Sequence, residues 1–133
     1  MTAEVTIDIS CDADIVEARQ RGRALAAQLG FSLVELTMIV TAISELARNI
    51  VLYAGKGQIS LGIERNHHMT GIVVVASDQG PGIRDIKLAM QDGYSTSGGL
   101  GLGLPGIHRL MEDCRIESTV GRGTTITVKR WKR

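Results

Sequence analysis

The most constraining stretch of this sequence is an apolar run that ends in an acidic, glycine-rich turn. Residues 72–76 read Ile-Val-Val-Val-Ala, which is typical of a buried β-strand. Residues 78–82 then read Asp-Gln-Gly-Pro-Gly. Gly80 and Gly82 can adopt backbone conformations that other residues avoid, and they let a ligand approach the main chain. The pattern predicts a carboxylate, Asp78, at a strand end beside such a turn, although a solvated turn has the same composition.

Length and composition favour one ordinary globular domain. The chain has 133 residues, enough to bury a real core, so we expect a single domain over residues 1–133. Fifteen basic residues against fourteen acidic ones leave a formal charge of +1, and aromatic residues make up only 3%. Neither a basic surface nor aromatic stacking residues therefore point to a nucleic acid partner.

Membrane insertion and metal binding by cysteine have no support in the sequence. No apolar run approaches the ~20 residues of a membrane span, and the N-terminus lacks a signal-peptide pattern. Cys11 and Cys114 lie far apart, and neither has a second cysteine or a histidine at zinc-ligand spacing. We therefore expect reduced thiols, no membrane association and a cytoplasmic location.

Hydrophobic periodicity predicts an α/β fold. Apolar residues alternate in an N-terminal strand, and the period changes to a helical one from Asp12, with Gly22 as a mild weakness and Gly30 at its end. Two strand–turn–strand units follow, one on each side of a glycine-rich stretch. The predicted strands are 1–10, 58–64, 72–76, 115–119 and 124–129, and the predicted helices are 12–30, 33–53, 85–91 and the segment from about residue 105.

The helix predicted at 33–53 combines an apolar stripe with two candidate functional residues. Ser32 and Glu35 form a capping-box pattern at its start. Glu45 and Asn49 lie four residues apart, roughly opposite the stripe, so their side chains are neighbours. Two oxygen donors there suit Mg²⁺, or a carboxylate that accepts a proton beside a metal-bound phosphate, although a solvated helix face looks the same. The stripe consists of Leu36, Ile39, Val40, Ile43, Leu46, Ala47 and Ile50.

A second glycine-rich segment, residues 93–106, leads directly into a predicted helix that begins near Pro105. A glycine loop that feeds a helix N-terminus presents unpaired backbone N–H groups and the positive end of the helix dipole. Phosphate is the usual ligand of such an arrangement. The embedded G-x-G-x-x-G pattern at 101–106 is a poor dinucleotide fingerprint, because no strand precedes it and Val120 stands where an acidic residue is required.

Together these segments resemble the sequence boxes of the GHKL (Bergerat-fold) ATPases and kinases. Residues 45–49, Glu-Leu-Ala-Arg-Asn, look like the N-box of that superfamily, and residues 78–82 look like its Asp-x-Gly-x-Gly box. Residues 99–104 resemble its second glycine box, and Gly123-Thr124 resembles its closing Gly-Thr. The resemblance covers residues from about 3 to 130 and implies a two-layer α/β sandwich. Its sheet would be mixed but mostly antiparallel, with helices on one face.

The resemblance also implies a role for each site residue, with ATP and Mg²⁺ as the bound groups. Asp78 would hydrogen-bond the adenine amino group, and Thr124 would support that contact. Asn49 would hold Mg²⁺, Glu45 would act as general base, and Arg48 is a weaker candidate for contacting phosphate or substrate. The residues expected to shape the pocket and wrap the phosphates are Gly80, Gly82, Gly99, Leu100, Gly101, Leu102 and Gly103.

Within the superfamily, the chain most closely resembles the small serine/threonine kinases of bacterial sigma-factor partner switching, and in particular the switch kinases of the stressosome. The implied substrates are serine or threonine hydroxyls on STAS-domain scaffold proteins, and the implied further partner is a PP2C-type phosphatase. The sequence holds no obvious phosphoacceptor of its own, so the acceptor must come from a partner. Two alternatives stay open: a nucleotide-gated binding module that resembles an anti-sigma factor, and an isolated ATP domain of a histidine kinase.

Overall fold

The computed structural model describes residues 2–82 and 103–132. The helix predicted at 85–91 lies outside this range. The elements in chain order are β1 (Thr2–Ile9), α1 (Asp12–Gln28), α2 (Leu33–Asn49), a π-helical turn (Ile50–Ala54), β2 (Gly57–Asn66), β3 (Met69–Asp78), α3 (Gly103–Leu110), β4 (Asp113–Thr119) and β5 (Gly123–Lys132).

The five strands form one sheet in the order β1-β2-β3-β5-β4. All four pairings in the described part of the chain are antiparallel, so the parallel pairing of a mixed sheet is not among them. Alternate residues of the strands, such as Leu61, Val74 and Val128, point toward the helices and are fully buried. The predicted two-layer α/β sandwich is therefore confirmed.

The core lies between the sheet and helices α1 and α2. Ile43 and Leu46 of α2 pack with the inward residues of the strands and are almost completely buried. Burial of one such side chain contributes about 1.5–3 kcal/mol, so this layer is the main source of the fold's stability. Ile107 and Met111 extend the same core beneath α3.

Gly22 is a packing requirement of α1, although the sequence treats it only as a weakness in a helix. A Cβ atom at this position would collide with Cδ1 of Ile43 on α2. Its absence lets the two helices approach closely, so the residue's cost in helix propensity is offset by tertiary packing.

The predicted capping box at the start of α2 is confirmed. The backbone N–H of Glu35 donates to Ser32 Oγ at 3.2 Å, and the backbone N–H of Ser32 donates to Glu35 Oε1 at 3.2 Å. Oε2 of Glu35 lies 3.4 Å from Nε of Arg130 on β5. The hydrogen bond from the Ser32 N–H, followed by the Ser32 side chain and the Arg130 charge, holds the pKa of Glu35 below its usual value.

The helical segment from Leu33 to Ala54 has two parts, because α2 ends at Asn49 and the π-helical turn follows it. Gly55 ends the turn with φ of 84°, and its N–H donates to the carbonyl of Ile50 at 2.8 Å. The segment is 22 residues long and by length and composition alone could span a membrane. Glu35, Glu45 and Arg48 interrupt it, so it is not a continuous apolar run, and the expectation that the sequence holds no such run stands. A helix that supplies the core of a globular domain meets the same criterion.

Candidate functional site

The site is organised around a row of four residues that crosses the end of the sheet. Asp78, the last residue of β3, pairs with Gly57 of β2 on one side and with Thr124 of β5 on the other. Thr124 in turn pairs with Ser118 of β4. Directly paired residues project from the same face of a sheet, and this cross-strand row continues the pattern of the buried Ala76 on the helix-facing side. Asp78 and Thr124, far apart in sequence, are thereby brought together.

The Asp78 carboxylate is fixed by the turn that follows it. Its Oδ1 accepts a hydrogen bond from the backbone N–H of Gly80 at 2.9 Å. The side chain is half-buried. No other donor reaches this carboxylate from the described part of the chain, so its second oxygen, Oδ2, can accept a further hydrogen bond. A held, half-buried acceptor of this kind can recognise a ligand amino group.

Thr124 and Ser118 form the polar half of the row. Thr124 is buried, with 8% of its surface exposed. Its hydroxyl lies 2.9 Å from Ser118 Oγ, which also donates to the carbonyl of Gly123 at 3.2 Å. These bonds hold the Thr124 hydroxyl beside Asp78. Ser118 was missed by sequence reasoning, because only the strand register shows that it faces Thr124.

Glycines at the strand ends allow the end of α2 to contact the sheet directly. A Cβ at Gly80 would lie 2.6 Å from Cβ of Ala54 in the π-helical turn. A Cβ at Gly57 would collide with the carbonyl of Ser77 and lie 2.8 Å from Ile50 Cγ2. The helix end therefore contacts two glycines next to Asp78: Gly57, which pairs with it on β2, and Gly80, which follows it in the turn.

The turn at 78–82 is also joined to the turn between β4 and β5. The N–H of Gly121 donates to the carbonyl of Pro81 at 2.9 Å. Gly82, with φ of 80°, faces the Thr119 carbonyl, where a Cβ would lie 2.6 Å from the oxygen. Gly123, with φ of 126°, faces the carbonyl of Asp78, which a Cβ would contact too closely. Both φ values favour glycine, so these residues let the two turns meet.

Glu45 differs from its predicted setting. It was expected on an exposed face opposite the apolar stripe, but it is buried, with 8% of its surface exposed. The reason is that α2 packs against α1, the sheet and α3, so its covered surface is wider than the stripe. Nη1 of Arg48 donates to Glu45 Oε1 at 3.4 Å, while the Arg48 side chain remains 45% exposed.

Asn49 is the last residue of α2 and is half-buried. It directly precedes Ile50, which contacts the Gly57 position, so the helix end carrying Asn49 adjoins the Asp78 turn. Among the described residues, no group of three acidic, histidine or cysteine side chains could hold a metal alone. Mg²⁺ in nucleotide sites normally takes one or two protein ligands and completes its shell with phosphate and water oxygens. One amide oxygen at Asn49 fits that chemistry.

The predicted glycine loop lies mostly beyond the described part of the chain. Gly99, Leu100, Gly101 and Leu102 fall there, so their assigned roles stay predictions. Gly103 is the first residue of α3, so the helix predicted from about Pro105 is confirmed and begins two residues earlier, inside the glycine-rich segment. This helix packs against α2, the element that carries Glu45 and Asn49.

Comparison with known proteins agrees with this geometry. Residues 35–133 match the family described as histidine kinase-, DNA gyrase B- and HSP90-like ATPases. The chain is 51% identical to serine/threonine-protein kinase RsbT of Bacillus subtilis (strain 168) over 133 residues, which cover all of both chains. It is 31% identical over 119 residues to the anti-sigma F factor of Thermoanaerobacter sp. (strain X514), covering 86% of this chain and 82% of that protein. The resemblance to the kinases of sigma-factor partner switching is therefore confirmed.

Solved structures with low sequence identity share the fold. The RsbU and RsbW domains of Rv1364c from Mycobacterium tuberculosis match with a TM-score of 0.62 and 19% identity, covering 97% of this chain and 33% of that one. The mycobacterial sensor histidine kinase MprB matches with a TM-score of 0.58 and 16% identity, covering 97% of each chain. Both matches place the described sheet and helices in the same two-layer arrangement.

Proposed function

The chain belongs to the family of histidine kinase-, DNA gyrase B- and HSP90-like ATPases, and we propose that it is the switch kinase of a bacterial partner-switching circuit. It is a serine/threonine protein kinase that uses ATP. The proposed substrates are serine or threonine hydroxyls on STAS-domain scaffold proteins. The observation that carries the proposal is the 51% identity to a serine/threonine-protein kinase along the whole chain.

The cross-strand row is the proposed adenine site. Oδ2 of Asp78 would accept a hydrogen bond from the adenine amino group, which is a donor. Gly80 holds the other carboxylate oxygen, so the acceptor is oriented before the ligand binds. The buried Thr124 hydroxyl would support the same contact. The glycines around the row let the helix end and the two turns pack closely around Asp78.

The end of α2 is the proposed phosphoryl-transfer centre. Phosphoryl transfer depends mainly on positioning and charge stabilisation, with one group to accept the proton of the attacking hydroxyl. Glu45 is the proposed acceptor, and Arg48, which pairs with it at 3.4 Å, would orient the carboxylate or contact a phosphate. Asn49 would hold Mg²⁺ together with phosphate oxygens. When bound, the metal supplies positive charge that neutralises those oxygens.

The proposed partners follow from the absence of a recognisable acceptor in the sequence. A hydroxyl on a second protein must reach the α2 end, and a STAS-domain protein is the proposed source. After release from that protein, the kinase is proposed to bind and activate a PP2C-type phosphatase in a general stress pathway. The cytoplasm is the proposed location of this circuit.

A nucleotide-gated binding module is the second candidate. It is favoured by the 31% identity to an anti-sigma F factor, because that match also covers most of both chains. In this reading ATP or ADP controls the affinity for a partner, and the phosphoryl group is not transferred. Both functions need the same nucleotide site, so the site's geometry does not separate them.

Transfer of labelled phosphate separates the two candidates. The chain is incubated with ATP labelled in the γ-phosphate and a panel of purified STAS-domain proteins, and label on each protein is measured. The kinase proposal expects label on a STAS serine or threonine and its loss with Glu45→Gln. Tight, ATP-dependent binding of a partner without any label would favour the nucleotide-gated binding module instead.

A further inference from the structure

A groove between α1 and α2 lies on the helical side of the molecule, apart from the proposed ATP site. Its walls are formed by Val16, Arg19, Gln20 and Arg23 of α1 and by Val40 of α2. The α1 residues recur at helical spacing and form one continuous wall. Val16 is 47% exposed, and Val40 is half-buried. An apolar floor therefore opens to solvent between two closely packed helices.

The charges at the edge of this groove are unbalanced. Arg19 and Arg23 are exposed, and neither has a hydrogen bond or an ion pair with any residue that the structure describes. Arg21, by contrast, points elsewhere on α1 and pairs with Glu17 at 3.7 Å. The groove thus combines apolar side chains with two basic groups that have no acidic counterpart at its edge.

Two further apolar side chains of α2 are exposed, near its N-terminus. Leu33 and Val34 in the first turn are 73% and 71% exposed. Apolar side chains that are exposed together, with polar groups around them, are typical of an interaction site.

The volume of the groove and its two arginines indicate what kind of partner could bind there. The groove holds about 200 Å³, which accepts one or two side chains but is smaller than the ~300–1,000 Å³ of small-molecule sites. A second copy of the chain, docked groove to groove about a two-fold axis, would place Arg19 and Arg23 against their own copies, and like charges oppose such pairing. An elongated apolar partner with negative charges meets both constraints.

We propose that the α1–α2 groove binds an amphipathic helix of a partner protein, with an apolar stripe flanked by carboxylates. The stripe would insert anchor side chains between Val16 and Val40, and the carboxylates would pair with Arg19 and Arg23. This is helix-in-groove recognition, in which apolar anchors recur along one face of the bound helix. The surface is separate from the α2 end, so it serves partner binding independently of phosphoryl transfer.

Two synthetic helical peptides test the proposal. Both have the same leucine stripe over ~18 residues, about five helical turns, and differ only in glutamate or lysine at the flanking positions. Fluorescence anisotropy should show the glutamate peptide binding at least about tenfold tighter, because charge complementarity selects between otherwise equal partners. Absence of binding, or equal binding of both peptides, would contradict the proposal.

Substitutions of groove residues test the same proposal with the two peptides. The double variant Arg19→Glu/Arg23→Glu should reverse the preference toward the lysine peptide, and Val16→Asp should weaken both peptides. Arg21→Glu reverses one charge on the same helix outside the groove and should leave the preference unaltered. Circular dichroism verifies that each variant is folded. If Val16→Asp unfolds, the double variant still tests the proposal, because Arg19 and Arg23 are exposed. An unchanged preference in the double variant would refute the assignment.

Two other occupants would each overturn the proposal. Sedimentation that shows a dimer of the wild-type chain, dissociated by Val16→Asp, would make the groove a self-association surface. Binding to anionic lipid vesicles that is lost in the Arg19→Glu/Arg23→Glu variant would make it a membrane-contact surface.

Discussion

Replacing Asp78 with asparagine should weaken ATP binding, and the structure shows why the amide cannot adapt. The backbone N–H of Gly80 donates to Oδ1 at 2.9 Å. In Asp78→Asn, the amide oxygen must take that position to keep the hydrogen bond, so the NH₂ group occupies the place of Oδ2. A donor would then face the amino group of adenine, which is also a donor.

The size of the effect follows from the hydrogen bond that is lost. A hydrogen bond to a charged group contributes about 1.5–3 kcal/mol. Because 1.4 kcal/mol corresponds to a tenfold change in the dissociation constant, ATP should bind about 10- to 150-fold more weakly. The variant keeps the Gly80 hydrogen bond and the shape of the side chain, so the fold should be retained.

Titration calorimetry on the wild type and two variants measures this change. Asp8→Asn is the matched control, because Asp8 accepts from Gln58 Nε2 at 3.1 Å one row away, on the opposite, exposed face of the sheet. It should retain the wild-type affinity. Wild-type affinity in folded Asp78→Asn would remove Asp78 from the site. Equal weakening by both variants would indicate a general charge effect.

Three further changes test the helix that adjoins this turn. Glu45→Gln keeps the size of the side chain and an oxygen for Arg48 but cannot accept a proton. Single-turnover phosphoryl transfer should therefore slow ~10²–10⁴-fold, with ATP affinity unchanged. Transfer at the wild-type rate would contradict the assignment of Glu45 as general base. Asn49→Ala should weaken ATP binding in Mg²⁺ and slow transfer, and equal affinities of variant and wild type with Mg²⁺ would exclude a metal ligand. Because the folded-state pKa of Glu35 is lowered, its stabilising contribution is present above its unfolded pKa and is lost as the pH falls through the folded pKa. The difference in melting temperature between wild type and Glu35→Gln should therefore shrink on acidification, and a constant difference would argue against this linkage.

Local sequence patterns were sufficient for the order of the described elements. The apolar run at 72–76 and the capping box at Ser32 depend on near neighbours, and both appear in the structure as expected. The end of α2 was less predictable, because the change to a π-helical turn after Asn49 leaves no mark in hydrophobic spacing.

Tertiary contacts explain what the sequence did not reveal. Gly22 and Gly57 differ from ordinary helix or turn glycines only through Ile43 and Ile50, which approach them from distant positions in the chain. The burial of Glu45 likewise depends on how many elements surround α2, which a helical period does not report.

The sequence predicted the motifs of the candidate site one by one, but not how they contact each other. The resemblance paired Asp78 with Thr124, and the strand register explains that pairing. Ser118 was not predicted as a site residue, because its hydroxyl contacts Thr124 only through the pairing of β4 with β5. The roles of Glu45, Arg48 and Asn49 remain predictions that rest on chemistry and resemblance.

In the proposed nucleotide site, ATP occupies the end of the sheet between α2 and the two joined turns. Hydrogen exchange of backbone amides, measured with and without ATP and Mg²⁺, tests it directly. We expect slower exchange in residues 78–82 and 119–124 when ATP is added, with no change along the α1–α2 groove. Unchanged exchange in both turns under saturating ATP, or protection confined to the groove, would contradict the claim.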